Sequence, residues 1–218
     1  MNKSVYSIVL ADEVVEAIDR MAYSMNTSRS NLINQILAQR VSLHTPEMRM
    51  REIFSAMEQL MDPRFQFLDQ PSEAMVSIKS PIRYKYKPTI RYSVELSRNF
   101  SGKVGTLKVQ FRTQSAQLIN AIDGFFALWR RIEDRHLAGI FKNGVPAGSC
   151  GGRYVRDFYS PNAGEISDEE TGSAMGEYIQ LMDECIQLYF DGLSAGEDSS
   201  QRIEEIYRSY LQRGVTVL

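Results

Sequence analysis

The stretch Gly148-Ser149-Cys150-Gly151-Gly152 puts a hydroxyl and a thiol among residues that permit a strained turn, the setting in which a covalent nucleophile is held. It lacks the Gly-x-Ser-x-Gly spacing and the strand-nucleophile-helix context, and an imidazole base would have to come from His44 or His136, the chain's 2 histidines. No Gly-Lys-Ser/Thr follows, so it is not a phosphate loop either. No catalytic residue is assigned. The glycine-rich segment 138–164 around it reads as a mobile loop at a ligand or partner surface, or as a plain connection. Cys150 and Cys185 belong to no metal-type spacing and read as reduced thiols, with a single disulfide as the alternative. Neither a metal site nor a cofactor is expected.

A second kind of chemistry, anion binding, is offered by Thr27-Ser28-Arg29-Ser30. Ser28 is a good helix N-cap, and Arg29 and Ser30 then fall in the first turn. Free amides and the positive end of the helix dipole make such a turn a phosphate clamp. An ordinary capped helix start is the other reading. Arg83-Tyr84-Lys85-Tyr86-Lys87, followed by Arg91-Tyr92, interleaves cations with aromatics, as a surface that stacks single-stranded bases would. Strand alternation argues for tyrosines in a core and cations in water, because it sends the two types to opposite faces.

The elements that must position the clamp lie between Lys3 and Val41. Residues 3–10, KSVYSIVL, form a β-branched run with Tyr6, Ile8 and Leu10 on one face and Val5, Ser7 and Val9 on the other. Val14, Val15, Ile18, Met21, Ala22 and Met25 recur at helical spacing, and so do Leu32, Ile33, Ile36 and Leu37. A lone short strand has no sheet partner within this segment, and unpaired backbone beside a buried face is costly. The simplest remedy is a second copy of the chain, with two strands pairing antiparallel about a two-fold axis over four helices.

That arrangement resembles the ribbon-helix-helix family of DNA-binding proteins, in particular its CopG-like branch. The resemblance rests on the strand ending at Leu10, the acidic turn Asp12-Glu13 before Val14, the stretch Ile18-Asp19-Arg20-Met21-Ala22, Met25, and the turn Thr27-Ser28-Arg29-Ser30 leading into Leu32-Ile33. It covers about a fifth of the chain and implies a homodimer whose two-stranded ribbon lies in the major groove of double-stranded DNA. Carried over by position, Val5, Ser7 and Val9 face base edges, Lys3 lies near the backbone, and Ser28, Arg29 and Ser30 hold phosphate. Valine can touch a thymine methyl but cannot hydrogen-bond a base. The resemblance further implies a bacterial or phage origin and a cytoplasmic transcription regulator of the repressor type. The alternative is an antitoxin-like or DNA-transfer accessory protein whose C-terminal portion grips a protein partner. Nickel regulation, found in one branch of the family, fits poorly with 2 histidines and scattered cysteines.

Beyond this segment the chain has ample length for a domain with its own core, at 218 residues with 43% hydrophobic and 24% charged. No apolar run approaches the roughly 18 residues that span a bilayer, and the N-terminus carries a strand in place of a signal sequence, so no membrane partner is expected. The net charge of -2 hides a division: residues 1–47 sum to -1, 48–160 to +8 and 161–218 to -9. A basic middle beside an acidic end is either a nucleic-acid surface or two parts attracting one another. The near-neutral N-terminal segment matters because phosphate neutralisation supplies most DNA affinity.

Three domains are expected. Residues 1–43 form the ribbon-helix-helix unit for dimerisation and DNA binding, and 44–73 a linker with its own helix over 47–61. Residues 74–218 form an α+β domain for an effector or partner. Its expected elements are strands at AMVSIKS, PIRYKYK, TIRYSVELS and TLKVQFRT, forming an antiparallel meander. A helix from about Ser115 to Leu137 carries the stripe Leu118, Ile122, Phe125, Trp129 and Ile132. Two acidic helices follow, the first capped by Ser167 with Glu170 three residues on. Their carboxylates read as a solvated face, or as a surface that docks cations or mimics DNA.

Overall fold

A computed structural model describes residues 5–84, 88–98, 102–160, 166–215 and 217, without the side chains of 69–71. The chain divides into two compact units, Met1–Met48 and Arg49–Leu218.

The first unit holds α1 (Asp12–Ser24) and α2 (Arg29–Arg40) and the start of α3 (Pro46–Leu60). Asp12 and Glu13 sit in the first turn of α1, where the helix dipole favours negative charge. Its own core is small: Ile18, Ala22 and Leu32, with Ile33 packed against them. Residues 5–11 carry no regular secondary structure and are exposed. The strand expected to end at Leu10 is therefore not formed within one chain, for the reason already visible in its sequence: this segment has no strand to pair with.

The second unit is an α+β sandwich. Its sheet has the order β1-β2-β3-β4-β6-β5, built from β1 (Gln66–Ser72), β2 (Met75–Pro81), β3 (Thr89–Leu96), β4 (Lys103–Arg112), β5 (Ala147–Cys150) and β6 (Arg153–Tyr159). Every neighbouring pair is antiparallel. One face packs against α3, α4 (Ala116–His136), α5 (Asp168–Ala195) and α6 (Ser200–Leu211). Alternate residues point inward, with Ile90, Tyr92, Val94 and Leu96 from β3 and Leu107, Val109 and Phe111 from β4 all buried. The α4 stripe, Trp129 included, is buried too.

Several expectations change. Within the segment expected as a linker, Met50, Ile53, Phe54 and Met57 of α3, together with Met61 and Phe65, pack in the second core, and Gln66–Ser72 forms its edge strand. Of the strand expected over PIRYKYK, Pro81 lies at the end of β2 and Ile82–Tyr84 are irregular, while 85–87 lie outside the described residues. Tyr84 packs on Phe190, with centroids 4.9 Å apart, which favours the core reading for this tyrosine. The glycine-rich segment contains β5 and β6, joined at Gly151 and Gly152, both left-handed with φ of 58° and 74°. A two-residue hairpin turn needs that conformation, which glycine adopts without a steric penalty. Cys150 is free and exposed, Cys185 free and buried, so the disulfide alternative is not realised.

The core of this unit encloses an ion pair. Glu133 of α4 and Arg156 of β6 have fully buried side chains and meet at 2.9 Å. The other carboxylate oxygen of Glu133 accepts from the Tyr154 hydroxyl at 2.7 Å, and the first also accepts from Tyr178 at 3.0 Å. The Arg156 guanidinium lies over the rings of Tyr178 and Phe158, 4.6 and 5.0 Å from their centroids. Trp129 Nε1 donates to Tyr178 at 2.9 Å. Burial, with Glu133 adding to it, pushes the Tyr154 and Tyr178 phenols well above their ordinary value. They stay protonated and donate.

α5 begins with the expected capping box at Ser167 and Glu170 and crosses α3 through glycine. A Cβ on Gly172 would stand 2.2 Å from the Ile53 carbonyl oxygen and 2.9 Å from the Ala56 Cβ. Gly172→Ala should therefore lose about 1–3 kcal/mol of stability despite the better helix propensity of alanine, because a backbone oxygen has nowhere to go. An unchanged urea midpoint would show that the helices separate freely there.

Candidate nucleic-acid interface

The clamp turn is built by the junction of α1 and α2. The backbone reverses through Asn26, left-handed at φ 50°, a conformation asparagine tolerates better than most side chains. The Thr27 amide donates to the Ala22 carbonyl at 3.0 Å, closing the turn. Ser28 caps α2 as expected, its hydroxyl accepting from the Asn31 amide at 3.2 Å. The Asn31 side chain donates to Thr27 Oγ1 at 3.0 Å. Arg29 and Ser30 follow in the first turn, where helix geometry leaves amides without intrahelical acceptors.

Arg29 is not free in this turn. Its Nε and Nη2 donate to the two carboxylate oxygens of Asp19, at 2.6 and 2.5 Å, a bidentate pair on the surface. The hydrogen bond from Arg29 holds the Asp19 carboxyl below its usual range, and the carboxylate in turn raises the guanidinium. The partners are ten positions apart, and only the crossing of α1 with α2 brings them together. The expected phosphate-binding trio Ser28, Arg29 and Ser30 is thus assembled, with a carboxylate beside it.

The base-facing residues stand differently. Val5, Ser7 and Val9 are exposed in a segment without regular structure. Lys3 lies outside the described residues. Among the described residues nothing gathers Val5, Ser7 and Val9 near Ser28–Ser30, and the expected site stays in two pieces.

Strand alternation sends Arg91 to water, but the sequence does not show the arrangement it belongs to with Lys108 and Arg112 of β4. Register aligns Lys79 of β2 with Arg91 of β3, Arg91 with Gln110 of β4, and Gln110 with Arg153 of β6. Arg112 follows Gln110 on the same face. At the other end of that face Glu95 is held by Lys108 at 2.9 Å and Asp157 by Lys103 at 2.8 Å. The signal available in the sequence was the alternation of Arg153, Val155 and Asp157 with Tyr154, Arg156 and Phe158. The buried Arg156 hides it.

The acidic C-terminal helices meet cations from other elements of the second unit, Asp168 with Arg49 at 2.5 Å, Asp183 with Arg64 at 3.5 Å and Glu204 with Arg135 at 2.7 Å, and the His136 ring nitrogen also lies 2.9 Å from Glu204. Hydrogen bonds from His136 and Arg135 hold the Glu204 carboxyl below its usual range. Among the described residues no helix is long and apolar enough to cross a membrane. Compared with protein-family models, curated proteins and solved structures, the chain matches none.

Proposed function

We propose that the chain is a homodimeric, sequence-specific DNA-binding transcription regulator. Residues 5–10 of two copies pair as an antiparallel ribbon and enter the major groove, with the α2 N-terminus of each copy on the phosphates. The observation that supports this reading is the apolar surface left open on the first unit. Ile8 is 57% exposed, Val14 45%, Met21 48%, Ile36 42% and Leu37 55%, while just three residues form its buried cluster. Exposed apolar surface this dense, next to an extended segment with unpaired backbone, suits a symmetric partner. A second copy supplies both what the ribbon lacks and what the helices lack. In the groove Val5 and Val9 offer methyl contacts and Ser7 one hydroxyl, which favours thymine-bearing steps.

The test is an electrophoretic shift on the DNA upstream of the protein's own gene. Arg29→Ala removes a cation and leaves the Asp19 carboxylate facing the phosphates, so retention should weaken about tenfold or more, the order expected when a charged hydrogen bond is lost. Asp19→Asn should strengthen it by releasing the guanidinium. Opposite signs from partners of one ion pair are not what a purely structural pair gives. Absence of retention at low salt by wild-type protein, with a stable protein partner co-purifying, would replace the regulator with an accessory protein.

A further inference from the structure

We infer that the solvent-facing side of the six-stranded sheet is a second, sequence-independent contact for the phosphates of duplex DNA, made by Lys79, Arg91, Arg112 and Arg153. The inference rests on the DNA-binding reading above and adds to it a surface on the other unit. Neighbouring strands lie about 4.8 Å apart and alternate residues along a strand about 7 Å apart. The register therefore gathers these four cations into a patch about 15 Å across. Among the described residues none of the four forms a salt bridge, and the Arg91 Nε has no hydrogen-bond acceptor. The carboxylates on the same face, Glu95 and Asp157, are already neutralised by Lys108 and Lys103 at its far end.

Charge decides what the patch is for. The acidic helices α5 and α6 pack against the opposite face of this sheet, and their ion pairs among the described residues go to Arg49, Arg64 and Arg135. The attraction of basic middle for acidic end thus leaves these four cations unused. The first 47 residues sum to -1, which cannot draw a polyanion carrying one charge per about 1.7 Å of axis. A DNA binder whose reading unit is nearly neutral needs its phosphate contacts elsewhere, and this face supplies them. Because a six-stranded face, at about 4.8 Å per strand, is wider than the roughly 12 Å major groove, it meets phosphates and not base edges, and the contact adds affinity without discrimination.

The experiment titrates salt against binding of the full chain to two fluorescent duplexes, the upstream DNA and a scrambled sequence of equal length. Arg112→Gln/Arg153→Gln, both exposed, is compared with the quadruple Gln variant, with Arg29→Ala and with wild type, after circular dichroism shows each folded. For the double variant the slope of log K against log salt should become shallower by about 1.8 for each chain of the dimer whose sheet touches DNA, and for the quadruple by about 3.6 for each, at about 0.9 per phosphate. Affinity should fall by the same factor on both duplexes. Unchanged slopes in variants of this face, with Arg29→Ala still weakening binding, overturn the second contact and leave the regulator standing. No binding by wild type to either duplex removes both. Loss of self-association in place of DNA affinity, or a preference for single strands abolished by the same substitutions, assigns the face to another occupant and overturns the inference.

Discussion

Glu133→Ala should cost the second unit about 3–5 kcal/mol, because it strands the buried Arg156 guanidinium, which pairs with no other carboxylate among the described residues, and takes the acceptor from the Tyr154 and Tyr178 hydroxyls. The pair itself need not be a net stabiliser. Desolvating two charges offsets most of their attraction, so replacing both partners by apolar side chains of similar size is expected to do far less harm than removing one. Adding Arg156→Met to Glu133→Ala should therefore recover more than half of the loss. The residue of the cost belongs to the two phenols and to the space left by the shorter side chain. Urea unfolding of wild type, both single variants and the double variant closes the cycle. Single variants within about 1 kcal/mol of wild type, or a double variant equal to their sum, would show that water reaches the pair and that the buried site is not closed.

Ile8→Asp should leave the monomer as it is and abolish the dimer. Ile8 makes no core contact in its own chain, so within one copy the substitution changes a side chain already in water. In the proposed ribbon it stands on the inward file with Tyr6 and Leu10, and each dimer buries it twice. Losing two isoleucines at about 1.5–3 kcal/mol each raises the dissociation constant by roughly two to four decades, before the cost of burying carboxylates is counted. Light scattering should report a single chain at micromolar concentration, and retention of the upstream DNA should vanish with the dimer. Val9→Asp on the outward file makes the contrast: it should keep the dimer and lose the DNA. A dimer that survives Ile8→Asp would move the two-fold contact away from the N-terminal strand.

Period and chemistry agree across most of the helices, which is why these were legible. The stripe from Leu118 to Ile132 faces a sheet, so the same residues that repeat in the sequence are buried in the fold. The spans 47–61 and 115–137 correspond to α3 and α4 within a residue at each end. Strands were legible where one face is apolar throughout, as in β3 and β4. β6 was not, because Arg156 occupies an inward position and reads as solvent-facing until its partner Glu133 is known. β1 was hidden by its mixed composition, and β5 by its four residues of small side chains. Of the candidate site, the N-cap at Ser28 was legible because capping is local chemistry. The Asp19–Arg29 pair and the file Lys79–Arg91–Gln110–Arg153 depend on how helices cross and strands register, which one-dimensional spacing does not encode.

The chain has 1 tryptophan, and that residue is fully buried against Phe125, Tyr178 and Tyr207. Red-edge excitation therefore lights a single indole, shielded from aqueous quenchers such as iodide or acrylamide. Its emission colour follows opening of the second unit's interior alone. Tyr6 and Tyr23, both on the first unit's surface, contribute nothing at that wavelength, so an optical melt of this protein is blind to half of what it would be asked to report.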